Sequence, residues 1–175
     1  MTDGTALREI AAEILTEILE KGQYTHLALF QALSKYQYLE KSDRSFLKRI
    51  VDGTVEDKIQ IDYIINAYSK TKVHKMKPFI RTLLRMSVYQ IYYMDRVPDS
   101  AACNEAVRLA KKRGFSGLSG FVNGVLRSVA RGKGKLTFPD DSVRYSMPDW
   151  ILSLWKENYG AETTHRMAQA GLEKR

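Results

Sequence analysis

Lys77, Arg81 and Arg85 recur every four residues, the spacing that aligns side chains along one face of a helix. Arg108, Lys111 and Lys112 repeat the pattern further along the chain, and Arg127 and Arg131 do so again. Lys70, Lys72 and Lys75 crowd the stretch ahead of Pro78, while Lys133 and Lys135 sit in the glycine-rich run GKGK. Like charges at helical spacing repel slightly, so helix stability does not account for them. Contact with phosphate would, which makes Lys70, Lys72, Lys75, Lys77, Arg81, Arg85, Lys111, Lys112, Arg127, Arg131, Lys133 and Lys135 candidate contacts to a nucleic-acid backbone. Tyr89, Tyr92 and Tyr93 are candidates for stacking on bases, although Tyr92 falls on an apolar face that favours core packing.

The charge is segregated along the chain. Residues 1–62 hold 8 Lys/Arg against 11 Asp/Glu, residues 63–139 hold 15 against 3, and residues 140–175 hold 5 against 6. The whole chain of 175 residues carries +8, so the middle segment alone, at +12, exceeds the total. Stretches 63–94 and 106–139 contain no acid. An anionic partner follows, with nucleic acid first because its charge repeats along a line.

Other chemistry finds little support. His26, His74 and His165 lie far apart with no metal-ligand neighbour at helical spacing, so no metal site is expected. The glycines of GFSGLSG follow a helical pattern rather than a strand, unlike a dinucleotide-binding loop, and GKGK lacks the residues that precede a phosphate-binding loop. Cys103, beside Ala102 and Ala106, reads as a small buried hydrophobe, and a single cysteine excludes an internal disulfide. No catalytic residue is expected. No apolar run approaches a membrane span and the start, MTDGTALREIAAE, is unlike a signal peptide, so a cytoplasmic location and no membrane partner are expected.

These candidates must be held by helices. Leu7, Ile10, Ala11, Ile14, Leu15, Ile18 and Leu19 predict a helix over 5–21, stopped by Gly22. Thr25 is placed to cap a second helix over 26–36, with Leu27, Phe30 and Leu33 inward. Ser42 or Asp43 opens a run through Tyr68 that is either one long helix or two nearly collinear ones. Within it, Gly53 suggests the close approach of another backbone, since glycine costs about 1 kcal/mol relative to alanine in a helix interior. Pro78 fits the first turn of the next helix, whose inner face is Phe79, Ile80, Leu83, Leu84, Ser87, Val88, Ile91 and Tyr92. Further helices follow Pro98, over GFVNGVLRSVAR, from a Ser146 cap with Pro148 in the first turn, and over 161–171. No alternating strand pattern of useful length occurs, and four prolines with 11 glycines argue against a sandwich of short strands. The expected fold is all-α, with seven to nine helices.

The string DRSFLKRIVDGTVEDKIQID, then LLRMSVYQIYYMDRVPDSAACNEAVRLAKKRG, then GFVNGVLR resembles the NusB family of RNA-binding helical domains. The match rests on the order and spacing of Asp43-Arg44, Gly53, Asp62, Leu84-Arg85, Tyr89, Pro98, Asn104 to Val107 and Phe121 to Leu126, within residues 6 to about 131. The resemblance implies two helical subdomains packed around shared long helices. It divides the chain into a NusB-like domain over 1–138 and a helical linker over 139–175.

The family includes stand-alone transcription antitermination factors, which bind RNA and a ribosomal-protein partner. It also includes the N-terminal domains of small-subunit rRNA cytosine-5 methyltransferases of the RsmB or Sun type. RYSMPDWILSLWKENYG is similar to the segment leading those enzymes into their catalytic part, and Arg127 after Val125-Leu126 resembles the methyltransferase version. The expected function is therefore a non-catalytic domain that grips small-subunit rRNA for its own C-terminal catalytic domain. No strand–glycine loop–helix for S-adenosylmethionine and no Pro-Cys or Thr-Cys pair occurs. That cofactor is accordingly expected only in the catalytic domain, and the piece ending in mid-helix at Lys174-Arg175 is expected to be inactive alone. The alternative is an antitermination factor or a protein-docking module, the latter using an apolar patch around Trp150, Ile151, Leu154 and Trp155. By the same reading Asn123 is a buried amide bonding between helices, Gly124 a close-contact point, and Glu105 a partner for Arg85 or Arg127.

Overall fold

The architecture is taken from a computed structural model that describes residues 3–174, so Arg175, at the expected mid-helix stop, lies outside the described residues. Ten α-helices are found among the described residues, nine of substantial length, and no strand. They are α1 Gly4–Leu19, α2 Thr25–Lys35, α3 Lys41–Glu56, α4 Lys58–Tyr68, α5 Pro78–Tyr93, α6 Asp99–Lys112, α7 Ser119–Arg131, α8 Asp141–Tyr145, α9 Asp149–Tyr159 and α10 Ala161–Lys174. Short 3-10 turns at Val73–Lys75 and Ser116–Leu118 precede α5 and α7.

Helix α5 is the axis of the molecule. Its inner face includes Ile80, Leu83, Leu84, Val88 and Ile91, and Thr82, Arg85, Met86, Tyr89 and Gln90 are buried as well, because α1, α3, α4, α6 and α7 all pack against it. Pro78 occupies its first turn, where a missing N–H costs nothing. One contiguous apolar core runs from Leu7 on α1 to Val129 on α7. A second, smaller cluster joins Tyr145, Met147, Leu152 and Ala168 of α8–α10. This unit docks on α4. The Gln60 side-chain amide donates to the Arg144 carbonyl at 2.9 Å, the Gln60 backbone N–H reaches the Ser146 hydroxyl, and the Tyr93 hydroxyl donates to the Gln60 amide oxygen.

Several local expectations are corrected. Thr25 is the first residue of α2, not its cap; Tyr24 stands at the N-cap with extended backbone and no capping side chain. Leu27 and Phe30 point outward, 38% and 70% exposed, and Ala28 and Leu29 are buried instead. Residues 27–30 offer two apolar faces, and the small side chains of Ala28 and Ala32 let α2 settle close on that side. Helix α3 starts after Glu40, with Asp43 buried in its first turn rather than at the cap. The chain breaks at Asp57, so α3 and α4 are two helices. Ser146 does not cap α9: it ends α8 in a left-handed conformation (φ 52°), and Pro148 takes the N-cap of α9.

Two glycines are resolved differently. Gly53 is approached by a ring, not a backbone: a Cβ there would lie 2.0 Å from Tyr89 Cζ. Gly124 meets nothing within 4 Å of where a Cβ would be, so it is not a close-contact point.

Candidate nucleic-acid interface

The stripe Lys77, Arg81 and Arg85 turns as it climbs α5. Each step of four residues rotates about 40° around a 3.6-residue helix, so its members pass from exposed Lys77 through half-buried Arg81 to buried Arg85. The expectation of a solvent-facing line opposite the apolar face is therefore corrected. Arg85 grips Asp62 of α4 with two hydrogen bonds, Nε to Oδ1 at 2.8 Å and Nη2 to Oδ2 at 3.0 Å, and lies 3.8 Å from Glu20. Arg81 forks onto the Glu20 carboxylate, with its Nε at 2.6 Å, and also donates to the Met76 carbonyl at 3.2 Å. The Arg81 hydrogen bond holds the Glu20 carboxyl below its ordinary range and raises the Arg81 guanidinium in turn. Both arginines are neutralised, and Arg81, through the Met76 carbonyl, fastens the connection that carries the lysines.

That connection projects Lys70, Lys72, Lys75 and Lys77 into solvent while Val73 and Met76 anchor it in the core. The Val73 N–H donates to Asn66 Oδ1 at 2.9 Å, fixing the exit from α4. Tyr68, at the end of α4, donates to the Gly132 carbonyl at 3.4 Å, and a Cβ at 132 would fall 1.9 Å from its hydroxyl. This close approach joins the end of α4 to the end of α7. Exposed Arg131, Lys133 and Lys135 thus leave from the same corner as Lys70 and Lys72.

The remaining candidates separate by partner. Lys112 reaches across to Glu9 of α1 at 2.8 Å, beside Arg113, and is neutralised there. Lys111 is exposed and, among the described residues, has no ion-pair partner. It borders a groove of about 510 Å³ between α6 and α7, lined also by Asn104, Arg108, Asn123 and Arg127. The Arg127 Nε donates to Asn123 Oδ1 at 3.2 Å and its Nη2 to Asn104 Oδ1 at 2.8 Å. Glu105 pairs with neither Arg85 nor Arg127; it accepts from Arg108 at 2.9 Å and from the Thr5 hydroxyl. Asn123 is half-buried and serves the arginine on its own helix rather than bonding directly between helices.

Tyr89 is 1% exposed beneath Gly53 and unavailable for stacking on a base. Tyr92 and Tyr93 are half-buried. Cys103 is fully buried, and burial pushes its thiol up. Among the described residues no group of three metal-ligating side chains occurs, and no helix is long and apolar enough to cross a membrane. On α9, Trp150 and Leu154 are exposed while Ile151 and Trp155 pack against the small core.

Sequence reasoning missed the acids that quench the α5 arginines. Glu20 is 61 residues from Arg81, and charge counted by segment cannot pair residues that meet only in space. It also missed Asn104 as a holder of Arg127, for which the only signal was a polar residue one helix away.

The sequence pattern of the NusB family matches residues 5–131. The chain is 37% identical over 174 residues to a probable ribosomal RNA small subunit methyltransferase B of Bacillus subtilis, covering 96% of this chain and 38% of that protein. It is 35% identical over 144 residues to the transcription antitermination protein NusB of Symbiobacterium thermophilum, covering 78% of this chain and 94% of that one. Among solved structures, the antitermination factors NusB and NusE in complex with double-stranded RNA match with a TM-score of 0.67 at 21% identity, over 73% of this chain and 96% of that one. That likeness carries the fold. The chain spans under two fifths of the methyltransferase it matches.

Proposed function

The chain belongs to the NusB family, and on that footing we propose that it is the non-catalytic N-terminal domain of a small-subunit rRNA cytosine-5 methyltransferase, gripping the rRNA substrate in the cytosol. At the coarser level it is a NusB-type RNA-binding domain. The observation that carries the finer reading is the unit after residue 139. Similarity to the Bacillus methyltransferase extends over 96% of the chain, against 78% for the stand-alone factor. The residues beyond the family match at 131 include α8–α10, which are tied to α4 through Gln60.

In this reading the lysines of the α4–α5 connection and the cations of α7 and its exit hold the RNA backbone. Trp150 and Leu154 on α9 serve as a dock for the catalytic part. In this reading S-adenosylmethionine belongs to the catalytic part, and no methyl-transfer step is assigned to the described residues, which contain no strand–glycine loop–helix.

A stand-alone antitermination factor is the second reading, favoured by the match over 94% of the Symbiobacterium protein. Competition between a small-subunit rRNA hairpin and an antitermination leader RNA separates the two. Preference for the rRNA hairpin, unaffected by a ribosomal-protein partner, supports the methyltransferase domain. Preference for the leader RNA, strengthened by that partner, overturns it.

A further inference from the structure

Arg127 is held unlike the arginines of α5. Carboxylates neutralise Arg81 and Arg85, whereas two amide oxygens, from Asn123 and Asn104, orient Arg127 without cancelling its charge. A guanidinium has five N–H donors, and these two bonds leave the others for a ligand. The groove it lines is about 510 Å³ and open to solvent, with Lys111 and Arg108 of α6 also in its wall. Among the described residues no carboxylate lines it, and Glu105 is engaged by Arg108 and Thr5. A fixed, uncompensated fork of donors with the free cation Lys111 beside it matches the planar, bidentate recognition of phosphate oxygens.

We infer that the α6–α7 groove seats one phosphodiester of the bound RNA, with Arg127 as its preoriented ligand and Lys111 flanking it. This rests on the RNA-binding reading above and names a site within it. Asn104 and Asn123 are positioning residues: they set the guanidinium plane and touch no ligand. Arg81 and Arg85 contribute no contact here.

The test is a fluorescence-anisotropy titration of a small-subunit rRNA hairpin with the whole chain at several salt concentrations, with circular dichroism to verify folding. Arg127→Ala is expected to weaken binding about tenfold and to make the log–log salt slope shallower by about 0.7, one single-strand phosphate contact. Asn104→Ala is expected to weaken binding severalfold with the slope unchanged, because charge is kept while orientation is lost. Arg127→Lys is expected to fall between. If the wild type binds RNA and Arg127→Ala matches it in affinity and slope, the groove assignment is wrong while the RNA reading stands.

A second arm titrates inorganic phosphate and follows the Arg127 Nε–H resonance in labelled protein. Saturable phosphate binding together with an RNA effect of Arg127→Ala supports the site. Phosphate binding without any RNA binding by the wild type overturns the RNA reading, and with it the diester assignment. No response in either arm overturns the site outright.

Discussion

The Arg85 guanidinium and the Asp62 carboxylate meet in two parallel hydrogen bonds, 2.8 and 3.0 Å long, across the seam between α5 and α4. Arg85 is almost wholly enclosed, its side chain 7% exposed, so the pair is a piece of architecture and not an RNA contact. Removing Asp62 leaves the buried Arg85 charge with only Glu20 among the described residues, 3.8 Å away and already held by Arg81. Stripping a buried charge of its hydrogen-bonded partner costs more than the pair itself contributes. Asp62→Ala is expected to destabilise the domain by about 3 kcal/mol in urea unfolding. The double variant Arg85→Met with Asp62→Leu should recover most of that loss. If Asp62→Ala leaves the midpoint unmoved, the pair has no structural role.

Glu20 links this pair to Arg81 and gives the fold a pH dependence. Its folded pKa is depressed, chiefly by the Arg81 hydrogen bond. The stabilisation is therefore fully present above the ordinary value of 4.5 and is lost as pH falls through the lower, folded value. Urea midpoints measured from pH 6 down to pH 3 should drop more steeply for the wild type than for Glu20→Gln. Parallel profiles would contradict the assignment.

Gly53 offers a prediction with an inverted sign. Alanine in place of glycine inside a helix ordinarily stabilises by about 1 kcal/mol. Here the new methyl would collide with the Tyr89 ring, so Gly53→Ala is expected to destabilise by about 2 kcal/mol. Adding Tyr89→Leu should restore part of the difference. A stabilised single variant would show that the ring is free to move aside.

Gln60 tests how the C-terminal unit is attached. It contacts α8 through the Arg144 carbonyl and Ser146, and receives the Tyr93 hydroxyl. Gln60→Leu is expected to speed amide hydrogen exchange across residues 141–173 while exchange in α1, α3 and α5 stays as in the wild type. Uniform acceleration throughout would mean that the two clusters unfold as one.

Periodicity made α5 legible, because its apolar residues and Pro78 state both its start and its inner face. It could not show that α5 is enclosed on nearly every side, which follows from five helices converging on it. The same limit explains Arg85: a four-residue repeat drifts around the helix, and only the position of α4 decides where the drifting charge ends up. On α2, two apolar faces were available in the sequence, and neighbours selected the one with Ala28 and Leu29. For the candidate interface, the residue types were readable but their free charge was not. Lys112 and Lys111 are adjacent in sequence, yet one is paired with Glu9 and the other borders the groove.

The salt dependence of rRNA binding, compared between two sets of variants, tests the account most directly. The wild type is expected to bind a small-subunit rRNA hairpin with a log–log slope near about −3, from four or five contacts at about 0.7 each. Replacing Lys70, Lys72, Lys133 and Lys135 by alanine should flatten that slope by more than half. Arg81→Gln, which loosens the Glu20 pairing and the Met76 bond but removes no free cation, should leave most of it intact at temperatures where the protein stays folded. Binding that ignores salt, or a slope that depends on Arg81 and not on the four lysines, would contradict the account.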